Sequence, residues 1–301
     1  MSLAYQIAKL AKQLCCYRSN PLQFFDEAAG ATLVKKGGLG TTPQLVLTDT
    51  STYLGDPTGS ATGFHSAVGG GEGNVASDGY ATIGGGTGNV ANQGNTTIGG
   101  GESNTASADN ATIGGGQSNQ ATAQSATVGG GDSNVATGVG ATVPGGSENS
   151  AFGGYSVAIG LAATARHYGE FAQSNGGLAQ HGSMVAGAQT TNATPAQVTL
   201  DGTNMIVPTS DEVWGIRARV SARCVAASKA FVTDLEFAVT NFGGTLVQLG
   251  STEVGFSRST GATTYAAAVY VSGNDVSVTV TGAIGESVDW AVDFWYCKVG
   301  A

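Results

Sequence analysis

The sequence predicts an all-β protein with a parallel β-roll in its middle section, because two residue types recur there with a fixed 15-residue period. An asparagine and a branched aliphatic residue each return six times in the same register. Glycine accounts for 49 of the 301 residues and charged residues for only 11%, a composition that suits a repetitive oligomer. The asparagines are Asn74, Asn89, Asn104, Asn119, Asn134 and Asn149, and the aliphatic residues are Val68, Ile83, Ile98, Ile113, Val128 and Val143.

Residues 1–63 are the first predicted unit, an N-terminal helix followed by an irregular collar. Four apolar residues between Leu3 and Leu14 have helical spacing, which predicts a short amphipathic helix over residues 2–16. So short a helix needs a docking partner, and the sequence allows two: a larger assembly to which it attaches, or its own oligomer, which it caps. Residues 20–63 place apolar clusters between glycine and proline, which predicts one or two strands.

Residues 64–183 are the second predicted unit, a β-roll rod with a neck. Each 15-residue coil holds two short strands joined by two tight turns, and glycine triplets such as 84–86 permit the positive φ of a sharp corner. The asparagine after each corner is expected to hydrogen-bond the backbone or to stack on its copies in neighbouring coils. Alanine recurs with the same 15-residue period, at Ala76, Ala91, Ala106, Ala121, Ala136 and Ala151.

The oligomeric state is predicted from the thinness of the roll. One coil offers its interior little beyond one isoleucine or valine and one alanine, too little apolar area to offset the entropy of ordering the whole coil. Three rolls packed around an axis supply the missing contact surface. The sequence therefore predicts a homotrimer.

Residues 184–301 are the third predicted unit, a C-terminal β-sandwich knob. Apolar and polar residues alternate along several segments, and this period of two is typical of half-buried strands. The clearest segments are 214–224 and 288–296, in which the polar partners are mainly arginine and aspartate, respectively. The unit is long enough for an antiparallel sandwich with its own core.

Charge and hydropathy exclude several partners and locations. The net charge is −9, and no basic residue occurs between Lys36 and Arg166, which argues against nucleic acid and anionic membranes as partners. No apolar run is long enough to span a bilayer. Lys9 and Lys12 interrupt the apolar residues near the N-terminus, so no secretory signal is expected and synthesis in a host cytoplasm is predicted. The four cysteines, Cys15, Cys16, Cys224 and Cys297, do not form a disulfide framework.

The repeats resemble those of a known family. The units "ATIGGGTGNVANQGN", "TTIGGGESNTASADN" and "ATIGGGQSNQATAQS", followed by "YSVAIGLAATARHYGEFA", are similar to the left-handed parallel β-roll repeats of trimeric autotransporter adhesin heads, the YadA-like family. The likeness covers roughly residues 64–175 and implies a left-handed roll in a trimer. The sequence predicts neither the coiled-coil stalk nor the C-terminal membrane barrel of that family, and its repeat is one residue longer.

The C-terminal part resembles a different group. The stretch from "RHYGEFAQSNGGLAQHGSMVAGAQTTNATPAQVTLDG" to "VTVTGAIGESVDWAVDFWYCKV" is similar to the terminal β-domains of phage and prophage fibre proteins. This likeness implies a structural protein of a bacteriophage virion, either a tail fibre or spike or a head decoration (cement) protein. Its N-terminal segment would bind other virion proteins, and its knob would contact a host surface glycan or protein. The alternative is a bacterial surface adhesin of the YadA-like type.

Few residues qualify as a functional site. The arginine row Arg217, Arg219 and Arg223 is expected to pair with carboxylates on neighbouring strands, and binding an anionic glycan or a partner is the alternative reading. The histidines stand singly, so hydrogen-bonded or exposed imidazoles are expected, although a trimer axis could gather three copies around a metal. The histidines are His65, His167 and His181.

The remaining patterns are interpreted as structural. By strand phase Cys224 points inward and Cys297 outward, and both are expected to be incidental thiols. The glycine triplets lack the lysine of a phosphate-binding loop, and the positions after them vary too much to bind calcium. No catalytic group, metal ligand or cofactor site is predicted, and the chain is expected not to be an enzyme. An outward threonine ladder raises ice binding as a further alternative, and its members are Thr82, Thr97, Thr112, Thr127 and Thr142.

Overall fold

The computed structural model describes residues 23–25, 32–36, 44–47, 52–53, 58–176, 179–199, 208, 212–242, 245–253, 258–260, 264–272 and 275–300, and all its regular elements are β-strands. The helix predicted over residues 2–16 lies outside these ranges. Within them, no helix is long and apolar enough to cross a bilayer.

The N-terminal and middle strands are short. They are β1 (Gln23–Phe25), β2 (Thr32–Lys36), β3 (Gln44–Leu47), β4 (Thr52–Tyr53), β5 (Ser60–Ala61), β6 (Ala67–Val68), β7 (Val75–Ala76), β8 (Thr82–Ile83), β9 (Val90–Ala91), β10 (Thr97–Ile98), β11 (Thr105–Ala106), β12 (Thr112–Ile113), β13 (Gln120–Ala121), β14 (Thr127–Val128), β15 (Val135–Ala136), β16 (Thr142–Val143), β17 (Gly146–Ser147), β18 (Ser150–Ala151), β19 (Val157–Leu161), β20 (Thr164–Ala165) and β21 (Phe171–Asn175). β1, β2 and β3 form a small antiparallel sheet.

From β4 to β21 the chain winds into a parallel β-solenoid of about eight turns. Each turn gives one strand to each of two parallel sheets. In one sheet Thr97 pairs with Thr82 and Thr112, and in the other Ala106 pairs with Ala91 and Ala121. Identical or similar residues therefore stack directly on one another, as the periodic sequence predicts.

The solenoid interior is closed within one chain. The aliphatic column that includes Ile98 and the alanine column that includes Ala106 are both fully buried. A third buried column of small residues was not predicted from the sequence, and its members are Ser66, Ala81, Thr96, Ala111, Ala126, Ala141 and Ser156. Each coil thus buries more than one aliphatic and one alanine side chain, so its stability depends less on contacts with sister chains than the sequence predicts.

The asparagines form a buried hydrogen-bonded ladder along the solenoid. The two hydrogens on Asn104 Nδ2 are shared among three acceptors, the carbonyl oxygens of Gly100 (3.1 Å) and Gly116 (2.9 Å) and Asn89 Oδ1 (3.0 Å). Asn104 Oδ1 accepts from the backbone N–H (3.0 Å) and the side-chain amide (3.1 Å) of Asn119. The predicted backbone bonding and stacking between copies are both confirmed, and the ladder satisfies the carbonyl groups of the glycine corners.

Glycine is required at these corners by close approach as well as by conformation. Gly101 has a φ of +98°, and a Cβ added to it would lie 2.0 Å from the carbonyl oxygen of Gly116 in the next turn. No side chain fits there without moving the backbone.

The C-terminal strands are longer and antiparallel. They are β22 (Ala179–Thr190), β23 (Ala196–Gln197), β24 (Glu212–Cys224), β25 (Lys229–Phe242), β26 (Thr245–Glu253), β27 (Arg258–Thr260), β28 (Ala266–Ser272), β29 (Asp275–Thr281) and β30 (Val288–Gly300). The order β21–β22–β30–β24–β25–β26 continues one solenoid sheet without a break. The predicted boundary between residues 183 and 184 falls inside β22, and the division into domains stays a prediction.

A second C-terminal sheet has the order β23–β29–β28. Buried side chains of both sheets form one apolar cluster, to which Trp214, Phe294 and Trp290 contribute from the long sheet and Val278 and Val280 from the short one. This cluster holds β24 and β30 in a fixed position, so the outward side chains of these two strands stand on a rigid support.

Candidate functional site

One face of the long sheet carries a continuous row of outward residues from the solenoid to the C-terminal strands. Residues paired across neighbouring strands point to the same face of a sheet. The threonine ladder ends at Thr142, which pairs with Val157, and the row then passes through further strands. These paired positions are Phe171, Ser183, Trp295, Arg217 and Glu236.

At its C-terminal end this row enters an open cavity of about 710 Å³, here named the outer groove. Trp295 is 43% exposed and Leu249 is 61% exposed, so these two neighbouring side chains make part of the groove surface apolar. Charged and polar groups surround them. The side chains relevant to binding are His181, Arg217, Glu236, Leu249, Trp295 and Cys297.

The arginines beside the groove are fixed by one buried carboxylate. Arg219 Nε and Nη2 donate to the two oxygens of Asp234 at 2.8 and 3.0 Å, and Arg217 Nη2 donates to Asp234 Oδ2 at 2.9 Å. Arg217 Nε also lies 3.8 Å from Glu236 Oε1. The predicted pairing of the arginine row with carboxylates is confirmed for Arg217 and Arg219, and Arg223 lies opposite Asp289 on β30.

These contacts make the stability of the C-terminal sheet depend on pH. The hydrogen bond from Arg219 lowers the pKa of Asp234 to about 2, against the effect of burial and with the help of Arg217. The unfolded value is near 3.9, so this stabilisation is complete above about pH 4 and is lost as the pH falls towards 2. Because both arginines are about half exposed, we expect a loss of about 1 kcal/mol in the free energy of unfolding, measured by urea denaturation at stepped pH.

Asp234→Asn provides the comparison for that measurement. The free energy of unfolding of this variant should be lower than that of the native chain at neutral pH. Between about pH 4 and pH 2 it should fall by less than the native value does. An acid dependence equal to that of the native chain would contradict the role of Asp234.

Behind the groove, a buried carboxylate joins the end of the solenoid to the C-terminal strands. Glu170 Oε2 accepts hydrogen bonds from the backbone N–H groups of Arg166 (2.7 Å) and His167 (2.8 Å) and lies 2.9 Å from His167 Nδ1. Its other oxygen accepts from the hydroxyl of Tyr296 on β30. Burial raises the pKa of Glu170, but the hydrogen bonds from His167 and Tyr296 outweigh it and hold the pKa below the usual value.

Gln180 ties the same network to the solenoid. Its Nε2 donates to Tyr296 Oη (3.0 Å) and to the carbonyl of Thr164 (2.8 Å), and its Oε1 accepts from the Thr164 N–H (2.7 Å). Burial and the nearby Glu170 carboxylate raise the pKa of Tyr296, so its hydroxyl stays protonated and able to donate.

A second buried carboxylate, Glu212, lies next to this network. It accepts from Trp214 Nε1 at 2.9 Å, and its Oε1 lies 3.3 Å from Lys298 Nζ and 3.5 Å from Arg166 Nη1. The Trp214 ring stacks on Tyr296 with a centroid distance of 4.6 Å. Since Tyr296 and Trp295 are adjacent on β30 and point to opposite faces, the network fixes the strand that presents Trp295 in the groove.

The structure separates the three histidines singled out in the sequence. His65 lies exposed at a solenoid corner, His167 is buried against Glu170, and His181 lines the outer groove. Within the ranges that the structure describes, no three His, Cys, Asp or Glu side chains are grouped so that they could hold a metal ion. Cys224 is buried, Cys297 is partly exposed, and both are free thiols.

The residues of the candidate site that were not predicted from the sequence are Trp295, Glu170 and Tyr296. The exposure of Trp295 could have been inferred from the sequence, because Trp295 occupies an outward position in an alternating strand. Glu170 and Tyr296 are 126 positions apart, and no signal in the sequence indicates their contact.

The fold and the groove define an all-β solenoid protein with an exposed, partly apolar cavity on its C-terminal sheet. No family model matches the chain, and no curated protein matches it significantly. Among solved structures it is similar to the tailspike protein gp49 of the Acinetobacter baumannii bacteriophage Fri1, a capsular polysaccharide depolymerase, with 7% identity, a TM-score of 0.28, and coverage of 92% of this chain and 75% of that one.

The chain is also similar to the tailspike protein of the Acinetobacter baumannii phage AM24, with 10% identity and a TM-score of 0.24. The match covers 77% of this chain and 49% of that one, so the chain spans about half the length of that protein. The expectation that the chain is not an enzyme is not upheld: the first of these tailspikes is itself described as a capsular polysaccharide depolymerase.

Proposed function

We propose that this chain is a tail fibre or spike-type protein of a bacteriophage virion, and that its outer groove contacts polysaccharide on the host surface. The observation that carries the proposal is the groove, in which a tryptophan exposed by 43% stands beside Arg217 and Glu236 on a rigid sheet. Binding sites on such scaffolds typically combine an exposed aromatic ring with a few fixed polar groups. The two tailspike proteins described above are bacteriophage proteins of the class proposed here for this chain.

The proposal includes a homotrimer with a left-handed roll of 15-residue repeats, a C-terminal sandwich and attachment to other virion proteins through residues 1–63. Large apolar side chains exposed on the solenoid support the trimer, because a soluble solenoid seldom leaves such groups in water. The most exposed are Phe64, Tyr80, Val139, Phe152 and Tyr155. Covering them against sister chains would remove them from solvent.

Two measurements on the full chain and its virion test this function. Antibodies against the chain should label purified particles at the tail, and the purified protein should bind bacterial surface polysaccharides immobilised as a panel. Release of reducing ends from each bound polysaccharide is followed in the same assay, so that cleavage is detected where it occurs. Labelling of the capsid shell would contradict a spike and favour a head decoration protein. Failure to bind any polysaccharide of the panel would contradict the role of the groove.

A further inference from the structure

The charged side chains around the outer groove carry a small excess of negative charge. Arg217 and Arg219 bring two positive charges, whereas Asp234 and Glu236 bring two negative ones. Asp293 lies opposite Arg219 on β30 and adds a third negative charge. The strands that form the groove wall therefore present no excess of positive charge to an acidic ligand.

The apolar part of the groove is one open aromatic face. Trp295 sits between Ser183 on β22 and Arg217 on β24, each about 4.8 Å away across the sheet. The short Ser183 side chain on one side and the long Arg217 side chain on the other leave the indole accessible, and Trp295 is 43% exposed. The C–H face of a pyranose ring is flat and apolar, and its stacking on an indole removes apolar area from water on both sides.

The polar part of the groove is a donor and an acceptor placed side by side. Arg217 Nε and Glu236 Oε1 are 3.8 Å apart, which is longer than a hydrogen bond, so both groups keep capacity for a ligand. Asp234 holds the guanidinium from its far end through Nη2. Two adjacent sugar hydroxyls match this arrangement, since each can accept from the guanidinium and donate to the carboxylate.

We propose that the outer groove binds an uncharged sugar residue of a polysaccharide, which stacks on Trp295 and places two adjacent hydroxyl groups on Arg217 and Glu236. This inference rests on the proposed function and specifies its ligand. A carboxylated sugar would bring its charge next to Glu236 and Asp293, where like charges oppose binding.

The test measures binding of the full chain to two sets of soluble oligosaccharides by isothermal titration calorimetry. The neutral set consists of glucose, galactose and N-acetylglucosamine oligomers, and the acidic set consists of galacturonate and sialic acid oligomers. At least one neutral oligomer should bind with an affinity that changes little with added salt, because no net charge is neutralised. Trp295→Ala should weaken this binding about 10- to 30-fold, and Glu236→Gln about tenfold.

Ile284→Ala is the matched control. Ile284 is 85% exposed on the same domain and lies outside the groove, so its truncation should leave the affinity unchanged. Circular dichroism of each variant establishes that it folds.

The outcomes separate this inference from the proposed function. Binding confined to acidic oligomers, strengthened by Glu236→Gln and weakened by salt, would overturn the uncharged ligand and leave polysaccharide binding intact. Neutral binding that survives Trp295→Ala would overturn the site. If Trp295→Ala instead changes the oligomeric mass in sedimentation, the groove is an interface between copies of the chain and the inference fails.

Discussion

Replacing Glu170 by alanine is expected to lower the free energy of unfolding by about 3–5 kcal/mol, the usual cost of removing one partner from a buried ionic network. The carboxylate serves two backbone N–H groups, His167 and the Tyr296 hydroxyl, and it is 1% exposed. Its loss leaves the Arg166 and His167 N–H groups and the Tyr296 hydroxyl without the acceptor that they share in the folded chain. The unfolding midpoint in urea, at unchanged m-value, measures the effect.

Glu170→Gln isolates the contribution of the charge. The amide keeps the shape of the side chain, and its oxygen can still accept from the Arg166 and His167 N–H groups, so we expect a smaller loss of about 1–2 kcal/mol. Glu236→Ala serves as the control. Because the Glu236 side chain is half exposed, this substitution should lower the free energy of unfolding by less than about 0.5 kcal/mol. A Glu170→Ala variant as stable as the Glu236→Ala variant would show that the network does not lock the two parts of the chain together.

The prediction of the solenoid succeeded because its contacts repeat. Each interior position recurs one coil later in the same register, so Ile98 meets Ile83 and Ile113, and a local pattern contains the whole packing scheme. The third small-residue column was missed because alanine, threonine and serine share it, and mixed small residues produce no hydropathy signal.

The junction between the solenoid and the C-terminal strands could not be predicted in the same way. Gln180 and Tyr296 are 116 residues apart, and they meet only because β22, which pairs with its sequence neighbour β21 on one side, pairs with the distant β30 on the other. Strand alternation fixed which face each side chain occupies, but the order of the strands decides which outward residues become neighbours. For that reason Arg217 could be assigned to an outward row, whereas its position beside Trp295 could not.

Asn104→Ala is expected to lower the free energy of unfolding by about 3–5 kcal/mol, although the asparagine side chain carries no charge. Asn104 is fully buried, and its amide satisfies the Gly100 and Gly116 carbonyls while its oxygen accepts from the Asn119 N–H. Alanine leaves the buried Asn119 N–H without its acceptor and the Gly100 carbonyl without its donor, whereas the Gly116 carbonyl keeps its bond from the Glu102 N–H. The substitution also opens a cavity, and the costs add. Gln120→Ala, at an exposed strand position, is the control and should change stability by less than about 0.5 kcal/mol.

The position of the substitution along the ladder provides a second test. In a solenoid each coil contacts only its neighbours, so a break at Asn104 uncouples the coils on both sides, whereas Asn74→Ala acts near the start of the ladder and should cost less. Asn104→Asp should lower the free energy of unfolding more than Asn104→Ala does at neutral pH, because a carboxylate would face the Gly100 and Gly116 carbonyls. It should recover part of the loss in acid, where a protonated carboxyl regains a donor, and this sign is opposite to that expected for Asp234. Equal stability of the Asn104 and Asn74 alanine variants would mean that the ladder acts as independent hydrogen bonds rather than as a coupled stack.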